Sequence, residues 1–197
     1  MKRRTILVAG TVAAAALLSA ALPMSRILLW NMTASVPIGL YHIRGTASLH
    51  VGERVAIDPP LRLRTYLAAR GYLSSGVPLL KEVSALRGDT VCRHDLVIMI
   101  NGEPAGEARA LDSRARPLPD WQGCRTIGAD EIFVMNRRAP GSFDGRYFGP
   151  IPRAHVIGRA NPVWTDEAGK GEHVWFARPH LIPIANTNPN DNQETRP

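Results

Sequence analysis

Ser35 lies in "NMTASVPIGLY", Asn31 to Tyr41, and Lys81 lies in "VPLLKEVSAL". Together these residue types suggest acyl-transfer chemistry. A serine hydroxyl is a weak nucleophile until a base takes its proton. None of the six histidines sits in a familiar serine-hydrolase setting, and the chain has no G-x-S-x-G elbow. The other solution is a lysine whose pKa is depressed by burial, so that a neutral amine serves as general base near neutral pH. Lys81 has the apolar flanks such a role needs. It is also rare: of 24 basic residues only Lys2, Lys81 and Lys170 are lysines, Lys2 in the charged N-terminus and Lys170 in a Gly-rich polar loop. A GC-rich genome would favour arginine in the same way, so scarcity alone assigns no role. Plainer readings compete. Alternation most often turns a strand lysine between apolar neighbours toward solvent, and a serine in a turn is most often only a turn residue.

The elements that must position the two residues can be read from pattern. Around Ser35, "SVP" and "GLY" read as a turn between extended segments, because Pro37 fixes its own φ and biases Val36 toward an extended conformation. "GERVAIDPP" gives a short strand, Val55 to Ile57, stopped by the double proline, and "LRLRTYLAARGYL" gives one short helix ended by Gly71. From Leu79 the pattern turns to strands: "LLKEVSAL", an "RGD" turn, "TVCRH", and "LVIMI" before the hairpin signal Asn101-Gly102. Residues Glu103 to Trp121 are polar and Pro-rich and read as a surface excursion. "EIFVMN" and "HVIGRANPVW" supply two more strands, and the tail "ANTNPNDNQETRP" is too polar to pack. The fold class is therefore mostly β, with no internal repeat and no second domain.

At 197 residues and 45% hydrophobic composition the chain has enough apolar surface for one domain with a real core. Its formal charge of +7 raises nucleic acid or an anionic membrane surface as partner. Scattered arginines, with no basic helix and no zinc spacing, argue against nucleic acid. A membrane is favoured by "TILVAGTVAAAALLSAALPM" after "MKRR", a stretch of about twenty uncharged residues, close to what a bilayer of about 30 Å requires. Residues 1–28 are expected to form an N-terminal transmembrane helix or a signal segment. Retention is expected, and the small residues of "LSAALP" make cleavage the alternative. Lys2, Arg3 and Arg4 would stay cytoplasmic, which places the rest of the chain outside the cytoplasmic (inner) membrane, with Trp30 at the interface. Cys92 and Cys124 are the only cysteines. An even count in an exported chain fits one disulfide, and no histidine lies at zinc-finger spacing from them to favour a metal.

Three stretches in order behind that anchor resemble one family, the S26 signal peptidases, and especially its conjugative-transfer branch, the TraF peptidases. They are "TASVPIGLY", "GVPLLKEVSALRGDTVCR" and "GSFDGRYFGPIPRAHVIGRA". "LAARGYL", "LPDWQGCR", the two cysteines and an "RGD" where housekeeping enzymes carry "PGD" resemble the TraF branch in particular. The resemblance implies a signal-peptidase-like twisted antiparallel β domain, expected over residues 29–183 with a disordered tail at 184–197. It implies Ser35 as nucleophile and Lys81 as general base, with the Ser35 N–H and the Thr33 hydroxyl as oxyanion hole. It also implies that Ser142 orients the lysine and that Asp144 and Arg146 form a bracing ion pair, Asp144 being also a candidate to position an incoming amine. Gly145 departs from the family, where serine is common. No metal or organic cofactor is implied. The expected substrate is a pilin precursor, or another membrane-held preprotein, of a conjugative transfer machinery, cleaved and in some relatives cyclised. The alternatives are a general type I signal peptidase and a non-catalytic, membrane-tethered pilus assembly protein.

Overall fold

The computed structural model describes residues 10–11 and 28–177. Apart from residues 10, 11 and 28, the expected anchor lies outside the described residues, as does the tail, and among those described no helix is long and apolar enough to cross a membrane. The described residues fold into two antiparallel sheets. Strands β1 (Leu28–Asn31), β2 (Ile38–Arg44), β3 (Arg54–Ile57), β4 (Leu79–Ala85), β9 (Glu131–Val134), β10 (Ile151–Pro152), β11 (Val156–Asp166) and β12 (Val174–Trp175) make the larger one. Its order is β1-β2-β11-β3-β4-β9-β10, with β12 added to the free flank of β11. Strands β5 (Thr90–His94), β6 (Val97–Ile100), β7 (Glu103–Glu107) and β8 (Gly123–Thr126) make the smaller, in the order β7-β6-β5-β8.

The turn expected around Ser35 is the loop of the β1-β2 hairpin, whose register runs from Leu28 opposite His42 to Asn31 opposite Gly39. The glycine after Pro37-Ile38 has a steric reason. A Cβ at Gly39 would lie 2.2 Å from the Trp164 carbonyl oxygen, where β2 crosses β11 beside a bulge, and its φ is +141°. The expected helix is present as Leu61–Arg70, closed by Gly71 in the left-handed conformation. The "RGD" turn and the Asn101-Gly102 hairpin also form as expected, with Asn101 and Gly102 both at positive φ.

One expectation needs correction, and two elements were not anticipated. The excursion begins later than Glu103, because Glu103–Glu107 is β7, the returning arm that the Asn-Gly turn demands. Pro104 and Gly106 hide its strand character, and an edge position tolerates both. "GCRT" forms β8, an exposed edge strand without an apolar pattern to announce it. A second, one-turn helix, Gly145–Phe148, follows Asp144, whose side chain accepts the Arg146 N–H as its cap.

Three apolar clusters hold these layers together. The first packs the helix through Leu67 onto Val55, Ile57, Leu79, Val83, Ile132 and Val134 of the large sheet. The second, with Val91, Ile98, Ile127, Phe133 and Met135, lies between the sheets. The third, Val36, Tyr41, Leu80 and Ala160, sits beneath the Ser35 turn. Each fully buried side chain of this kind contributes about 1.5–3 kcal/mol. β4 takes part in all three, being flanked by β3 and β9 and covered on both faces, so only Glu82 along its length is partly exposed.

Candidate active site

The loop that carries Ser35 is held by a residue the sequence reading passed over. Asn31, buried at the end of β1, accepts the Thr33 N–H and hydroxyl through Oδ1 at 3.2 and 3.0 Å. Its Nδ2 donates to the carbonyls of Thr33, Val36 and Pro37 at 2.7, 3.1 and 3.1 Å. One amide thus spans the turn. An Asn two residues before a Thr was the available signal, since Asx turns of this form are common. Tyr41 adds a hydroxyl bond of 2.7 Å to the Pro37 carbonyl. Ser35 Oγ lies 3.2 Å from Thr33 Oγ1. Since Thr33 spends its proton on Asn31, the resting Ser35 hydroxyl donates toward Thr33. The Ser35 N–H makes no hydrogen bond among the described residues.

Lys81 comes from the middle of β4, where alternation favoured solvent. It is instead 4% exposed. The alternation argument assumes a sheet with one wet face, and this central strand has none. Its Nζ donates to Ser142 Oγ at 2.9 Å, its one hydrogen-bond partner among the described residues. An ammonium with three N–H groups and one partner is poorly solvated, and burial lowers the Lys81 pKa to about 8, with Asp144 pulling it up and Arg146 down. Ser142 Oγ also accepts Asn136 Nδ2 at 3.3 Å.

Asn136 is the second residue missed. It follows β9 and is buried, with Oδ1 taking the Glu82 N–H at 2.8 Å and its own N–H bonding Asp144 Oδ2 at 3.0 Å. A polar residue ending the apolar run "EIFVM" was its signal. Asp144 and Arg146 form a buried two-armed pair, Nε to Oδ1 and Nη2 to Oδ2, both 2.9 Å. Arg146 further donates to the carbonyls of Glu107, Ala139 and Ser142 at 3.1, 2.9 and 3.2 Å. The pair therefore fixes the backbone that carries Ser142. Asp144 is fully buried and both of its oxygens are bonded within the chain.

Thr33, Ser35, Lys81 and Ser142 all line one cavity of about 910 Å3, walled by apolar residues including Leu29, Leu67, Leu73, Val77, Leu80 and Phe143. Ser35 and Lys81 share this cavity without a direct hydrogen bond. Asp144 and Arg146 lie behind it. Cys92 and Cys124, opposite each other on β5 and β8, form a disulfide. His94 lies beside them, with its ligand nitrogen and the two sulfurs within 4.8 Å of one another, but disulfide sulfurs offer no thiolate to a metal.

Gly145 has no room for the serine that the resemblance leads one to expect there. A Cβ there would lie 2.6 Å from both Val134 O and Phe133 Cε2, and its carbonyl accepts Trp121 Nε1 at 3.0 Å. Gly145→Ser is therefore expected to cost about 1–3 kcal/mol by overpacking, read as a lower melting temperature. An unchanged melting temperature would show that the Phe133 ring and the strand give way freely.

The serine turn and the buried lysine thus open on one apolar cavity. The chain matches the family model for signal peptidase, peptidase S26, over residues 2–165. It is 34% identical over 145 residues to a plasmid transfer protein TraF of Escherichia coli, covering 68% of this chain and 81% of the relative. It is 37% identical over 149 residues to a probable conjugal transfer protein TraF of Sinorhizobium fredii, covering 68% and 76%. A solved signal peptidase I from Enterococcus faecalis V583 aligns at 23% identity with a TM-score of 0.33, over 57% of this chain and 96% of its own. The chain belongs to the S26 signal peptidase family, in its TraF branch.

Proposed function

We propose that this protein is a membrane-bound serine endopeptidase with a Ser35-Lys81 dyad that processes the pilin precursor of a conjugative transfer system. The observation that carries the reading is the Lys81 amine, buried, held by Ser142 and facing the same cavity as Ser35. Ser35 Oγ attacks the scissile carbonyl while the neutral Lys81 amine takes its proton, after the hydroxyl turns from Thr33 into the cavity. The Ser35 N–H donates to the developing oxyanion, and so does the Thr33 hydroxyl once it turns from Asn31 Oδ1, a contribution of about 10²–10³ in rate per donor in comparable sites. Ser142 aims the amine, and Asp144 with Arg146 fixes Ser142. The apolar cavity suits an extended, weakly polar substrate segment.

Residues 1–28 anchor the enzyme in the cytoplasmic membrane, and the domain from residue 29 to about 183 works on the periplasmic side. Support comes from the exposed Leu28, Trp30, Met32, Trp175 and Phe176, since Trp30, Trp164 and Trp175 form a chain of contacting rings beside the cavity. The conjugative role rests on the relatives named plasmid transfer and conjugal transfer proteins. Water attacking the acyl-enzyme gives a linear pilin, and the pilin's own N-terminal amine gives a circle.

The test is the intact mass of a pilin precursor from the same transfer locus, co-expressed with the wild type or with Ser35→Ala. The wild type is expected to trim it and the variant to leave it whole. A product lighter than the trimmed chain by one water marks cyclisation. A precursor trimmed equally by Ser35→Ala would reject the nucleophile.

A further inference from the structure

Ser35 borders two cavities. The second, of about 300 Å3, lies across the serine turn from the first, and the two share Ala34, Ser35 and Ala139 as wall. β4 runs along both. Successive side chains of a strand point to opposite faces, so Lys81 turns into the apolar cavity and Glu82 into the other, and each lines only its own.

The second cavity is charged. Arg54 is taken up in a two-armed pair with Glu167, at 2.9 and 2.8 Å. Asp166 accepts the N–H groups of Lys170 and Gly171 at 3.1 and 2.6 Å. Arg138 is exposed at the rim. The Glu82 carboxylate is different: it is only partly exposed and has no hydrogen bond or ion pair among the described residues. Its backbone is fixed, with its N–H on Asn136 Oδ1 at 2.8 Å and its carbonyl taking the Met135 N–H at 2.9 Å. Burial raises its pKa against the pull of Arg54, Arg138 and Arg137. Asp144 has no oxygen left for a ligand.

We infer that this second cavity admits the attacking amine, with the Glu82 carboxylate accepting an N–H from the free N-terminus of a peptide beside the Ser35 ester. The inference rests on the acyl-enzyme chemistry proposed above. The amine nitrogen forms the new C–N bond, the bond from the acyl carbon to Ser35 Oγ breaks, and the proton lost by nitrogen reaches Ser35 Oγ through Lys81. Nothing is oxidised and no co-reactant is needed. Holding the amine here raises its effective concentration over water.

The test uses the full-length membrane-bound enzyme, the pilin precursor and a short peptide with a free N-terminus as competing acceptor. Mass spectrometry reads the ratio of peptide-joined to hydrolysed product. With the wild type, the ratio is expected to saturate as acceptor increases, the mark of a binding site. Glu82→Gln is expected to raise the half-saturating acceptor concentration at least fivefold. A ratio that rises linearly in the wild type, or a half-saturation unmoved by Glu82→Gln, would overturn the inference. The wild-type titration decides even if the variant folds poorly. Hydrolysis without any joined product would overturn this inference and leave the peptidase reading standing, whereas a precursor left whole would overturn both.

Discussion

Lys81→Met is expected to lower precursor cleavage by a factor on the order of 10⁴ or more while making the protein more stable. Both effects have one cause. At neutral pH most Lys81 amines are charged in a site that solvates charge poorly, a cost of about 3 kcal/mol judged from a pKa lowered to about 8. Methionine has similar length and no charge, so part of that cost is recovered, an expected gain of about 1–3 kcal/mol near pH 7. The pH dependence has a definite sign. Between about 8 and the ordinary lysine value of 10.5 the unfolded chain binds a proton that the folded chain does not. The stability of the wild type relative to Lys81→Met therefore rises with pH through that window, and the gap closes as it is crossed. Wild-type activity rises with pH through about 8 as the amine becomes neutral. Flat activity across that range would remove Lys81 as the base, and a lower melting temperature for Lys81→Met would contradict the burial cost.

The second large effect falls on Arg146. Arg146→Met leaves the fully buried Asp144 carboxylate without its cation and frees the carbonyls of Glu107, Ala139 and Ser142. Breaking one side of a buried pair costs about 3–5 kcal/mol. A loss of that size in urea unfolding is expected, together with reduced cleavage as Ser142 moves off Lys81. The double variant Asp144→Asn with Arg146→Met should recover part of the stability, since no uncompensated charge remains. A single variant within 1 kcal/mol of wild type would mean that the pair behaves like an exposed one and braces nothing.

The sequence made the local devices legible and left the tertiary ones out of sight. The turn at Ser35, the helix ending at Gly71 and the Asn101-Gly102 hairpin are set by residues within a few positions of each other, so they can be read directly. Lys81 shows the limit. Its burial depends on β3 and β9 flanking β4 and on the layers covering both faces, which no window around "LLKEV" contains. Asn136 was passed over for a related reason: it looks like an ordinary polar residue at a strand end, and it matters because it ties the end of β9 to β4, which only the fold brings near. Asn31 is different, since its bonds to Thr33, Val36 and Pro37 all stay within one turn and its signal was local. β7 and β8 are edge strands with little apolar pattern, and edges need little. At Gly145, where the resemblance led to serine as the expected residue, Phe133 and Val134 occupy the space a side chain would need, which no reading of the local sequence shows.

Lys81 and Glu82 are neighbours on one strand and line two different cavities, both of which Ser35 borders. Strand alternation separates them, and the pairing, with Val55 opposite Lys81 and Arg54 opposite Glu82, sets which face each takes. A slip of β4 by a single position would turn the carboxylate toward the apolar cavity and the amine away from it, leaving every residue present and the chemistry gone. The Asn136 side chain on the Glu82 N–H, the irregularity between Val83 and Ala85 and the buried apolar residues of β4 all oppose that slip. In this chain one-residue insertions or deletions near β4 are thus a more serious hazard than most substitutions on it.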